Sequence, residues 1–206
     1  MKSDNFVMVL AVAAVIVSAI GAGISYSSFT NQESWFTGYV TDSGTVNLTV
    51  ITTASINFTT DNINFGAGRV DVGSPSANLT TTGLNNTGGN WTNVTQGFVL
   101  ENIGNLNVSI SIYTGKDADT FLGGTNPEYQ FNVTNVEIGS CIPWAGFNLG
   151  EWYDANTTDP GTFACSNFSY VDAGDELRID MRLVVPSDSL TGDLGDIITA
   201  DAQLST

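Results

Sequence analysis

Asp117 and Asp119, in the run GKDADTFLGG, open like a calcium loop, where alternating carboxylates turn their oxygens onto one hard cation. The third acidic ligand and the glycine at the sixth position are missing, so an EF-hand is excluded. What is left at this place is a low-affinity calcium site or a plain turn. Asp172, Asp175 and Glu176, in VDAGDEL, offer the same choice, with a β-turn ahead of a strand as the stronger reading. The chain has no histidine, which removes the commonest general base and the commonest transition-metal ligand. It also lacks a G-x-S-x-G run, a phosphate loop and a zinc pattern. A glycosidase needs two carboxylates about 5–10 Å apart, and no spacing in this sequence sets such a pair. The residues therefore point away from an enzyme, and no cofactor is expected.

Two cysteines remain, Cys141 and Cys165. An even, minimal count in an exported chain predicts one disulfide, with two buried thiols as the alternative. Trp144, Trp152 and Tyr153 lie within the loop this bridge would close. Exposed, they would stack on sugars or meet a neighbouring subunit. Buried, they would form a satellite core, which is the favoured expectation.

The acceptor pattern N-x-[ST] recurs at Asn47, Asn57, Asn78, Asn85, Asn90, Asn93, Asn107, Asn132, Asn156 and Asn167. Twenty asparagines in a chain about one-fifth Ser and Thr would give roughly four such matches by chance. Asn47, Asn57, Asn107 and Asn132 each sit between two apolar residues. In a strand such positions point away from the core, where a sugar can be attached. N-linked glycans at several of these sites are expected, and they would solubilise the sheet and shield its edges.

The elements that carry these residues follow from periodicity. Val46–Val50, Leu106–Ile112, Leu177–Leu183 and Ile198–Leu204 alternate apolar and polar residues, as half-buried strands do. Weaker runs are Ile56–Phe58, Ile63–Phe65, Gly97–Glu101, Tyr129–Ile138 and Phe163–Tyr170. Gly66-Ala67-Gly68, Gly83–Gly89, Gly123-Gly124 and Pro186-Ser187-Asp188 punctuate them as loops. About eight or nine strands predict a mainly β fold, an antiparallel β-sandwich of jelly-roll or Ig-like type over residues 43–206. Residues 27–42 form a linker or a donor strand.

Residues 1–26 are different in kind. Phe6–Ile24 is uncharged and carries a single hydroxyl, Ser18. As a helix it would be about 30 Å long, one bilayer hydrocarbon core. It is cleaved as a signal near Ala22 or Gly23, kept as a membrane anchor, or packed against copies of itself. The last fate is favoured by small residues at Ala14, Ser18 and Ala22, with Ala19 and Gly23 repeating the spacing. The net charge of −16, from 5 Lys and Arg against 21 Asp and Glu, argues against a nucleic-acid partner.

An apolar N-terminal helix feeding a Thr/Asn/Gly-rich, sequon-dense β-domain without histidine resembles archaeal pilins and archaellins. That resemblance implies helices bundled in a filament core and a glycosylated β-sandwich facing outward. The charged residue plus glycine that precedes the helix in those families is absent; Lys2-Ser3 stands there. Gly97–Ile112 and Glu176–Ala202 are also similar to the strand pairs of the TasA/camelysin group of surface fibre proteins. This second resemblance implies a jelly roll whose subunits join by donating a strand, here from Ser27–Thr41.

The expected function is thus a structural subunit of an extracellular, cell-surface filament. Its partners are copies of itself, and the cell membrane during export. The alternative is a membrane-anchored, glycosylated adhesin or S-layer-associated protein.

Overall fold

The computed structural model describes residues 13–19, 45 and 47–205. The chain divides into two compact units, Met1–Thr49 and Val50–Thr206. In the first, residues 13–19 are helical, and Val15, Ile16 and Val17 are 68, 53 and 70% exposed. Ala14, Ser18 and Ala19 fall on this helical stretch. Ala22, Gly23, the remainder of 1–26 and the segment 27–42 lie outside the described residues. No helix among the described residues is long and apolar enough to cross a membrane.

The second unit is mainly β, with ten strands in two antiparallel sheets. One sheet orders β1 (Asn57–Thr60), β3 (Phe98–Glu101), β9 (Glu176–Pro186), β5 (Glu128–Asn135) and β7 (Tyr153–Asp154). In it β2 (Ser76–Thr80) pairs with the later half of β9, beyond the end of β3. The other sheet orders β10 (Ile198–Leu204), β4 (Val108–Thr114), β8 (Thr162–Phe168) and β6 (Cys141–Pro143).

β9 organises the first sheet because its alternation is unbroken. Leu177, Ile179, Met181, Leu183 and Val185 are buried, and both edges of the strand are paired. β4 does the same for the second sheet, with Val108, Ile110 and Ile112 fully buried. These residues share one core with Leu79, Leu100, Phe131 and Phe168. Each such side chain contributes on the order of 2 kcal/mol on leaving water.

Several expectations need correction. Residues 47–50 form no strand, and Leu48 and Val50 are 84 and 69% exposed, because their alternation meets no partner strand. Ile63–Phe65 is likewise irregular, although Ile63 and Phe65 pack against the core. β2, β6 and β7 were not expected. Each is short, and β2 exists through its register with β9, from Ser76 opposite Pro186 to Thr80 opposite Arg182. A single helical turn, Ala118–Phe121, occupies the run that opens like a calcium loop.

Candidate functional site

The ten acceptor asparagines are dispersed over the molecule. Asn47, Asn57, Asn78, Asn85, Asn90 and Asn93 are exposed, while Asn107, Asn156 and Asn167 are half-buried. Asn132 overturns the expectation made for it. Alternation does place it opposite to Phe131 and Val133, both fully buried, yet Asn132 itself is only 7% exposed. The loop before β7 covers it: its Nδ2 donates to the Gly150 carbonyl at 2.9 Å, and its Oδ1 has no partner. A carboxamide nitrogen held this way is not free to carry a sugar in the folded chain. Two exposed sites are partly engaged with each other, since Asn93 Nδ2 donates to Asn85 Oδ1 at 3.1 Å.

Cys141 and Cys165 are bonded to each other, as the count predicts. The bridge joins β6 to β8 within one sheet, and both residues are buried. Of the aromatic residues in its loop, Tyr153 packs against the core, whereas Trp144 and Trp152 do not form the satellite core expected of them. Trp144 is 38% exposed and stacks on Phe163, with ring centroids 4.7 Å apart. Trp152 is half-buried with the Arg182 guanidinium 5.0 Å from its ring. Tyr153 is half-buried and stacks on Phe147 at 4.2 Å. Phe147, at 4% exposure, is the anchor of this loop, and nothing in its local pattern marks it.

Asp117 is the N-cap of the Ala118–Phe121 turn, accepting from the Thr120 backbone N–H at 2.7 Å. The Thr120 hydroxyl, and then this backbone N–H, hold its carboxyl below the usual carboxylate range. Asp119 lies in the same first turn. Among the described residues no three acidic or cysteine side chains converge as a metal cage. A different set of carboxylates does gather. Glu101 and Glu176 oppose each other across β3 and β9, and Glu137 Oε2 accepts from the Asp175 N–H at 2.9 Å. Burial, then repulsion by Glu137 and Glu101, pushes the carboxyls of Asp175 and Glu176 up.

The inner face of the first sheet also borders a cleft of about 1340 Å³. Its floor is Leu79, Met181, Leu183 and Val185, and segments 62–75 and 187–196 wall it. The hydroxyl of Tyr129 is pushed well above its ordinary range by burial, then by the Asp196 carboxylate beside it. Among the described residues β10 pairs only with β4, and β1 only with β3, so each leaves one edge free.

Against known proteins, the chain matches no family model, no curated sequence and no solved structure.

Proposed function

We propose that this chain is a structural subunit of an extracellular filament on a cell surface, of pilus or archaellum type. The observation that carries the reading is the helical stretch 13–19, whose Val15, Ile16 and Val17 are more than half exposed. Apolar side chains in such number on a helix need a cover, and small residues at Ala14 and Ser18 let a second helix approach closely. Copies of the same segment supply that cover. At about 25 cal/mol per Å², 800 Å² of stem removed from water contributes roughly 20 kcal/mol before ordering costs.

The β-domain supports the reading in two ways. Its exposed acceptor asparagines suit a glycosylated outer surface, with glycans N-linked at several of them. Its two sheets on one core suit a β-sandwich of jelly-roll or Ig-like type, and the free edge of seven-residue β10 is long enough to receive a donated strand. Polymerisation then runs through the stem, through a strand from Ser27–Thr41, or both. A low-affinity calcium ion at Asp117 and Asp119 remains part of the proposal, with Asp119 as the freer ligand.

Ala14→Asp tests it. Electron microscopy of sheared surface material should show filaments from the wild type and none from the variant, with an unchanged circular-dichroism spectrum of the β-domain. Normal filaments from Ala14→Asp would sink the idea. A second reading rests on the length of Phe6–Ile24, which matches a bilayer: a membrane-anchored adhesin or S-layer-associated protein. In that case the wild-type protein stays with the membrane on shearing.

A further inference from the structure

The outer face of the second sheet carries an apolar strip at its β6 edge. Cys141 is buried, so Ile142 turns outward and is 57% exposed. Its register partner on β8 is Asn167, one residue before the fully buried Phe168. Asn167 therefore shares the outer face with Ile142. Trp144 comes two residues after Ile142, about 7 Å along the chain. There its N–H donates to the Ala164 carbonyl at 2.9 Å, and its ring stacks on Phe163 with the planes 29° apart. The two rings make one nearly flat aromatic surface. Phe163 pairs with Ser111, which sits between the fully buried Ile110 and Ile112, so this surface is on the outer face too. The Cys141–Cys165 disulfide ties β6 to β8 and fixes the spacing of these residues.

Asn167 differs from the other half-buried acceptor asparagines. Asn107 Oδ1 accepts from the Tyr170 N–H at 3.3 Å, and Asn156 Oδ1 from the Thr158 N–H at 2.9 Å. No such bond holds the Asn167 carboxamide among the described residues. Beside the aromatic pair, Ser111 is 1% exposed and its Oγ has no partner. Asp201 pairs with Ser111 on the other side, on β10. The four strands of this sheet hold no lysine or arginine. Such a face offers aromatic carbon next to hydroxyl and carboxylate acceptors, and it repels anions. A neutral sugar ring fits that chemistry: its C–H face stacks on an aromatic ring while its hydroxyls donate to oxygen.

We propose that the N-linked glycan of Asn167 lies back on Trp144 and Phe163, with neutral pyranose rings against the aromatic pair. The inference rests on the glycosylated surface of the filament reading and adds where one of its glycans goes. Attachment joins Asn167 Nδ2 to the anomeric carbon of a phosphate-activated sugar donor, with loss of one amide proton and departure of the phosphate carrier. The glycan is then rooted one cross-strand pair from the platform, so its first rings reach the aromatic surface without crossing the sheet. The platform is pinned by the disulfide before any sugar arrives, so ordering it costs little. Lying there, the glycan covers Ile142 and Trp144. It also shields the outer edge of β6, which pairs with β8 alone among the described residues.

The test uses the full chain from its native host, dispersed in detergent so that no neighbour covers Trp144. Hydroxyl-radical footprinting read by peptide mass spectrometry should oxidise Trp144 at least threefold faster in Asn167→Gln than in the wild type. Trp152, beside Arg182 on the other sheet, should oxidise at the same rate in both, which shows that the fold is kept. A second variant, Trp144→Ala, should keep the glycan by mass. In that background Asn167→Gln should lower the melting temperature by less than half as much as it does in the wild type. Equal Trp144 oxidation with a glycan present on wild-type Asn167 overturns the proposal, and so does full additivity of the two substitutions. A peptide map with Asn167 bare and other asparagines glycosylated also overturns it, while the glycosylated-surface reading stands. A chain with no glycan anywhere sinks both.

Discussion

The guanidinium of Arg178 grips the carboxylate of Asp180 from two residues away on the same face of β9, at 2.7 to 2.9 Å through Nε and one terminal nitrogen. The pair is shared with the chain in front of it. Thr81 Oγ1 donates to Asp180 at 2.6 Å, and Arg178 donates to the carbonyls of Thr81 and Thr95. Asp180 is 5% exposed, so removing it takes the carboxylate acceptor from both the Arg178 guanidinium and the Thr81 hydroxyl. Asp180→Ala should lower the unfolding free energy by about 3 kcal/mol in urea titrations. A loss below about 1 kcal/mol would mean that the pair is dispensable.

The disulfide closes a loop with a sequence separation of 24. Replacing Cys141 and Cys165 with Ala should cost roughly 3 kcal/mol in the chain-entropy view. Comparing thermal melts of the oxidised protein with those of the double variant checks it. Equal melting temperatures would count against the estimate.

Acid should act in two opposing stages. Asp175 and Glu176 have raised carboxyl pKa values, from burial and then from Glu137 and Glu101. Their contribution is fully present below the unfolded value and is lost as pH rises through the folded one. Asp117 and Asp188 are lowered by bonds from Thr120 and Thr125, so their contribution is present above the unfolded value and lost as pH falls through the folded one. The melting temperature should therefore rise as pH falls from neutral toward the ordinary carboxylate values and fall as pH drops further below them. Glu176→Gln should weaken the first stage and Asp188→Asn the second. A steady decline from pH 7 downward would contradict the first stage.

Glycan mass should track exposure. Asn57→Gln or Asn78→Gln, at exposed sites, should each remove one glycan from the intact mass of the protein made in its native host. Asn132→Ala should change that mass only by the substitution itself and lower the melting temperature, because the bond to Gly150 is lost. A glycan recovered on Asn132 would mean that attachment precedes folding there.

Much of the β-domain is legible in the sequence, for a physical reason. β9 keeps one side for the core along its whole length, and β10 turns Ile198, Ala200 and Ala202 to it, so alternation alone locates them. β2 offers only Ala77 and Leu79 to the core, too few to stand out, and its existence depends on β9, about a hundred residues later. Asn132 shows the same limit at a candidate site. Period two assigns its face, whereas its burial comes from Gly150, which alternation does not see. The partners of Asp180 divide likewise: Arg178 is visible as a spacing of two, and Thr81 is not.

The three bonds that Asn105 makes, from its N–H to Thr53 O, from its Nδ2 to Ile51 O and to its Oδ1 from Thr53 N, have a mechanical meaning. A pull applied to the chain ahead of Ile51 reaches these residues before the short β1–β3 ladder and before the disulfide-tied strands β6 and β8. Three hydrogen bonds to one residue, two of them to its side chain, yield at lower force than a packed core. Under such a pull this junction should open first, while the core and its covalent staple hold.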